Sequence, residues 1–173
     1  VFIHNEDKKL DNQFIVATAN LLNFALPNRV FYKNTEPYSD RQYQQKIHAL
    51  APLFRQLKAD IVGCQEVWDE QAVMALCQAA QMQDYHVAFP LASNEANSPL
   101  THGQGATGTP AVGLISRFEI ISTTLLTQVP PKALLEIPDM GVYQQFNRPP
   151  LLAEVRLPNG MIMTVIVAHL KSK

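Results

Sequence analysis

Hydrophobic and polar positions divide the chain into an early strand-helix-strand-helix pattern and a later stretch of strands alone. Residues 14–21, Phe14-Ile-Val-Ala-Thr-Ala-Asn20-Leu21, are apolar at even and odd positions alike, as in a strand covered on both faces. Ser39 and Asp40 can cap a helix in which Ile47, Leu50, Ala51, Phe54 and Leu57 recur at helical spacing as far as Lys58. Pro52 inside that stretch predicts a kink or a later start. Asp60-Ile-Val-Gly-Cys-Gln-Glu66-Val67 is a second short apolar run of strand type. Asp69 and Glu70 then open a helix with Val73, Leu76, Cys77 and Ala80 on one face. Residues 85–89 read as a third strand.

Residues 90–110, rich in Asn, Ser, Thr, Gly and Pro, predict a long surface loop. Strands resume at 111–116 and 120–129, a second loop spans 130–146, and 150–157 with 161–169 form a hairpin. Its turn is Pro158-Asn159-Gly160, where Asn-Gly is a strong hairpin signal. The predicted fold class is α/β: a mixed β-sheet with helices on one face. Two amphipathic helices cover only one side of strands that are apolar on both. The other side is expected to need a second sheet, which nothing in the pattern obviously supplies.

At 173 residues, 47% of them apolar, the chain can build one domain with a real core. Residues 1–12 are polar and read as a lead-in or linker, and 13–173 as the domain. Fourteen basic and fifteen acidic residues give a net charge of −1, so polyanion binding must come from a local cluster. No run approaches 18 apolar residues, so no helical membrane span is expected. The sequence starts without Met and ends abruptly after an apolar strand, which reads as a piece of something longer. Cys64 and Cys77 are the only cysteines and fall in a strand and a helix, so buried free thiols are expected.

Three apolar runs end directly in a polar group: Asn20, Glu66 and His169. Side chains at strand ends reach solvent from a rigid base, which is where ligands gather in α/β sheets. An amide, a carboxylate and an imidazole together suit a hard cation with oxygen ligands beside a phosphate. Singly, each has a plainer reading as a turn former, a solvated acid or a core histidine.

Taken in order, Ala19-Asn20-Leu-Leu, Ala59-Asp60-Ile-Val-Gly-Cys-Gln65-Glu66-Val67, Gly113-Leu-Ile-Ser116-Arg117-Phe and Ala168-His169-Leu170-Lys171-Ser172 resemble the endonuclease/exonuclease/phosphatase superfamily. The likeness covers about 14–173, and the Asp60–Val67 segment is its most specific part. It implies the first half of a four-layer DNase I-like α/β sandwich, with the C-terminal half lying outside this chain. It implies a magnesium-dependent phosphodiester hydrolase, with manganese or calcium as substitutes. Glu66 would hold the metal, Asn20 would help place the metal or its water, and His169 would contact the scissile phosphate. Arg148, in Phe146-Asn147-Arg148-Pro149-Pro150, matches a position where the family places a phosphate-facing arginine, and bidentate guanidinium binding gives the physical reason.

Other residues carry plainer expectations. Arg117 is expected to be structural, Gln65 to orient its neighbours, and Trp68 to anchor packing rather than stack on a base. Lys171 and Lys173 are strand-end lysines, and Gly103, Gly105 and Gly108 belong to a loop without the lysine of a phosphate cradle. The family's Asp-x-Asn and terminal Asp-His pairs, normally supplied by the second half, have no counterpart here. This chain alone is therefore expected to be nearly inactive. DNA or RNA is the first substrate class, and a lipid or small phosphate ester the alternative. A non-catalytic module of the same fold, docking the missing half or a second copy through an exposed sheet face, is the other reading. Exported bacterial relatives with His-Leu-Lys-Ser endings leave a secreted or periplasmic location open.

Overall fold

The computed structural model describes residues 13–30, 35–90, 110–137, 141–146 and 148–170. The expected lead-in, nearly all of the 90–110 loop with its glycines, and Lys171 and Lys173 lie outside the described residues. Among the described residues, nine strands and two α-helices run in the order β1 (Val16–Phe24), α1 (Asp40–Leu57), β2 (Ile61–Val67), α2 (Glu70–Ala79), β3 (His86–Ala88), β4 (Ala111–Ser116), β5 (Ile120–Leu125), β6 (Leu135–Ile137), β7 (Gly141–Tyr143), β8 (Leu151–Arg156) and β9 (Ile162–Val167).

The first sheet has the order β1-β2-β4-β3 and is mixed: β1 and β2 are parallel, while β4 runs antiparallel to β2 and to β3. Helix α1 opens with a complete capping box, in which Ser39 accepts from the backbone of Gln42 and the Gln42 side chain accepts from the backbone of Ser39. It starts at Asp40 and runs unbroken through Pro52, so the predicted late start does not occur. Pro52 and His48, whose carbonyl the proline leaves unbonded, are both exposed, and water can satisfy the freed group. Tyr43, Ile47, Ala51 and Phe54 from α1, with Val73, Leu76 and Cys77 from α2, bury Val62, Cys64 and Ile115 of the sheet. The two thiols lie in this apolar core. Burial, and then the charge of Cys77, push the Cys64 thiol up to about 12, and burial pushes Cys77 to about 11. Neither forms a reactive thiolate at neutral pH.

The opposite side of the first sheet corrects the expectation drawn from the pattern. A second sheet, in the order β5-β8-β9, comes from this same chain and covers that side. Ile61, Val112 and Leu114 of the first sheet pack against Leu151, Ala153, Val155 and Val167 of the second. The 158–160 turn closes the β8-β9 hairpin as predicted, with Gly160 at φ +83°, a conformation glycine adopts without strain. Ile162 and Ile166 of β9 face outward from the second sheet, and Val16 of β1, Leu53 of α1 and Met74 of α2 are exposed as well. A further correction concerns the 130–146 loop. It carries a short 3-10 turn at Pro131–Ala133 and the antiparallel pair β6-β7. Strand β5 ends at Leu125, earlier than the predicted 129.

Close approach of the two sheets depends on Gly63. A Cβ there would lie 3.3 and 3.4 Å from the two Val167 methyl carbons. Gly63→Ala is expected to destabilise the fold by about 1 kcal/mol through overpacking. The check is a lowered urea midpoint with an unchanged denaturant slope.

Candidate functional site

Strands β1 and β2 are parallel, so their C-terminal ends emerge at the same edge of the sheet. Asn20 and Glu66 stand near those ends, and β9, packed over β2, delivers His169 just past its own last residue. The Asn20 amide Nδ2 donates to Glu66 Oε1 at 3.0 Å. His169 Nε2 lies 3.6 Å from the same oxygen. Arg148 Nη1 is 3.2 Å from both His169 Nδ1 and Nε2, so the guanidinium straddles the ring rather than addressing one lone pair. The four residues singled out in the sequence thus form one continuous constellation.

Backbone irregularities in both strands produce this arrangement. Along β2, Val62 and Cys64 face the helix-side core, and strict alternation would send residue 66 there next. Instead Gln65 and Glu66 together oppose the single residue Val112 of β4, and Val67 takes the buried place. This is a β-bulge, with Glu66 in the left-handed region at φ 57°. Without it, the carboxylate would enter the apolar layer beneath the helices. Strand β1 is irregular at the same level. Its register with β2 shifts between Asn20 and Phe24, and Leu22 and Asn23 have φ of 49° and 54°. Left-handed backbone costs roughly 1–2 kcal/mol for a non-glycine residue, so three such positions need compensating contacts.

Those contacts are hydrogen bonds to the site. The turned backbone of β1 points the Asn23 N–H at Glu66 Oε2, 3.2 Å away, and the Leu22 N–H at Asn20 Oδ1, 2.9 Å away. The latter bond fixes the amide orientation: the Asn20 oxygen faces the backbone and its nitrogen faces the carboxylate. Asn20 therefore contacts Glu66 as a donor. Each Glu66 oxygen accepts one hydrogen bond and keeps lone-pair capacity, with the side chain 20% exposed. Beside it, His169 is 14% exposed.

Neighbouring residues hold the frame. Gln65 exchanges hydrogen bonds with Thr18 across β1 and β2, at 3.0 and 3.2 Å. Trp68 is buried, donates from Nε1 to Asn23 Oδ1 at 3.2 Å, and has the Arg29 guanidinium 5.7 Å from its ring centre. Asp69 stands at the start of α2 without capping it, because its carboxylate accepts from Leu26 N and pairs with Arg29. Arg117 pairs with Asp60 at the opposite end of β2, remote from the constellation. Two contributors were not read from the sequence. The Asn23 backbone amide had no signal beyond asparagine's tolerance of left-handed backbone. Lys46 is half-buried and donates to the Leu22 carbonyl. Its place at the border of the apolar face of α1, beside Ile47, was the available hint.

No family model matches the chain, and no curated protein sequence matches it. Several solved structures do. One is an endonuclease/exonuclease/phosphatase family protein from Leptotrichia buccalis, at 16% identity and a TM-score of 0.46, covering 76% of this chain and 50% of that one. Another is the human Nocturnin catalytic domain with bound sulfate, at 15% identity and a TM-score of 0.48, covering 90% and 49%. A third is a β-hairpin deletion mutant of beta toxin from Staphylococcus aureus, at 16% identity and a TM-score of 0.44, covering 90% and 50%. The chain spans half or less of the length of each of these structures.

Proposed function

We propose that this chain supplies the cation-holding and phosphate-contacting part of a metal-dependent phosphodiester hydrolase of the endonuclease/exonuclease/phosphatase kind. The observation that carries the reading is the convergence of Glu66, Asn20, His169 and Arg148 from separate stretches of sequence onto one sheet edge. The donor set is tested first against the metal. Among the described residues there is no cluster of three or more His, Cys, Asp or Glu side chains, which a closed transition-metal site needs. A single held carboxylate with lone pairs to spare instead fits magnesium, which takes one or two protein carboxylates and keeps waters and substrate oxygens as its other ligands. Glu66 would hold the ion, and Asn20 would act on it by fixing the carboxylate.

A bound magnesium would neutralise charge building on the phosphoryl oxygens during in-line attack by water. The chain's own groups do the rest of the binding. Among the described residues Arg148 engages only His169, so its remaining N–H groups are available to two phosphate oxygens at once. His169, fixed between Arg148 and Glu66, presents a ring N–H to the phosphate. Positioning of the attacking water is assigned to the Asp-x-Asn element that the resemblance places in a second half. A nucleic-acid phosphodiester is the substrate put first, with a lipid or small phosphate ester as the alternative, since the Arg148 fork would bind the phosphate of any of them.

Metal binding tests the reading without the rest of the catalytic machinery. Titration with Mn²⁺, followed by the loss of its free electron-paramagnetic-resonance signal, should give one site that Mg²⁺ displaces and Glu66→Gln removes. Addition of Mg²⁺ should also switch on cleavage of bis(p-nitrophenyl) phosphate and of single-stranded DNA or RNA by the protein that carries this chain. A Mn²⁺ site indifferent to Glu66 would refute the assignment.

A further inference from the structure

Lys46 leaves α1 three residues after buried Tyr43 and beside buried Ile47, at the rim of the helix face that packs on the sheet. Its side chain is half-buried, and the ammonium turns toward the irregular end of β1. Nζ donates to the Leu22 carbonyl and, at 2.9 Å, to the Tyr38 hydroxyl. That hydroxyl in turn donates to the same Leu22 carbonyl at 3.3 Å. The ammonium also lies 4.9 Å from the Tyr38 ring centre and 5.9 Å from that of Phe24. One backbone oxygen therefore receives a charged and a neutral donor, while two aromatic rings flank the charge.

The oxygen is the one between the two left-handed residues, Leu22 and Asn23. Their conformation gives the Leu22 N–H to Asn20 and the Asn23 N–H to Glu66. We propose that Lys46 is a positioning residue for the candidate site: by holding the Leu22 carbonyl it locks the left-handed pair, and through the pair it fixes the Glu66 carboxylate. A charged hydrogen bond, a neutral one and the flanking rings act together against the cost of two left-handed residues. Lysine suits the place because a compact ammonium can serve a carbonyl, a hydroxyl and two ring faces from one point. The inference deepens the proposed function, since it rests on Glu66 as the ligand to the metal.

The test compares Lys46→Met, which keeps the stem and removes the charge, with Lys46→Arg, which restores a cation. Native-state amide exchange is read at Asn23 and, as a control, at Cys64 and Leu114 in the sheet centre. In Lys46→Met the Asn23 amide should exchange at least about tenfold faster while the control amides keep their protection. Mn²⁺ affinity should fall about 10- to 100-fold, the usual effect of losing a group that orients a ligand. Lys46→Arg should recover most of both. Unchanged Asn23 exchange, or an equal acceleration at all three amides, would overturn the proposal and leave Lys46 as a packing residue. Absence of any Mn²⁺ site in the unaltered protein would overturn the proposed function alone, because the exchange measurement decides on Lys46 independently.

Discussion

In a complete domain with the proposed function, replacing Glu66 with glutamine should lower magnesium-dependent phosphodiester turnover by about 10³-fold or more. The substitution keeps volume and an oxygen able to accept from Asn20, and it removes the carboxylate charge that Asn20, Asn23 and His169 surround. Losing a single preorganised charge-stabilising group typically costs 10²–10³ in rate, and losing the ion it holds costs more. Asn20→Ala should do less, about 10- to 100-fold, because Asn23 N–H still holds the other carboxylate oxygen. Its effect should disappear in the Glu66→Gln background. Two residues that act through one ion are non-additive, and a double-mutant cycle on kcat/KM measures the coupling. Full additivity would mean that Asn20 works separately, on water or substrate. Turnover unchanged in Glu66→Gln would remove the metal assignment altogether.

Asn20, Glu66 and His169 were legible because each closes an apolar run, so a strand end could be inferred without knowing the sheet order, whereas Arg148 was read only from the resemblance of its Phe146–Pro150 segment. Their convergence was not legible. It needs β1 parallel to β2 and β9 packed over β2, which no local pattern encodes. The bulges were hidden for a different reason. Left-handed backbone is usually announced by glycine, and here Leu22, Asn23 and Glu66 adopt it, held by contacts with residues more than twenty positions away in sequence. Their strain is offset by tertiary bonds rather than by local preference.

The second sheet was a failure of placement rather than of detection. Leu151, Ala153 and Val155 alternate with Leu152 and Glu154 along β8, a half-buried strand, and the hairpin itself was read from Asn159-Gly160. What the pattern lacked was the partner surface for its buried side. Apolar residues on both faces of β2 called for that partner, and the two halves of the observation belonged together. Strands β6 and β7, three residues each, are too short for periodicity to register.

Asp60→Ala should destabilise the fold by about 3 kcal/mol while leaving the chemistry to be judged separately. The Asp60 side chain is only 2% exposed, and its Oδ2 accepts from the backbone N–H of Ile15 at 2.8 Å. Removing it strands a donor in the layer that joins β1 to β2 and forfeits the bond, a loss of roughly 1–3 kcal/mol before the small cavity is counted. Arg117, its ion-pair partner at 3.5 Å, is 62% exposed, and Arg117→Ala should cost less than about 1 kcal/mol. Asp60 precedes β2 and Glu66 is near its end, about 20 Å away at roughly 3.3 Å per residue. Urea denaturation should therefore place Asp60→Ala far below Arg117→Ala, and kcat for Arg117→Ala should match the unaltered protein. A tenfold drop in kcat for a folded Arg117→Ala would move that arginine into the substrate path. A loss under 1 kcal/mol for Asp60→Ala would mean that water, reaching Ile15 from the open edge of β1, replaces the carboxylate.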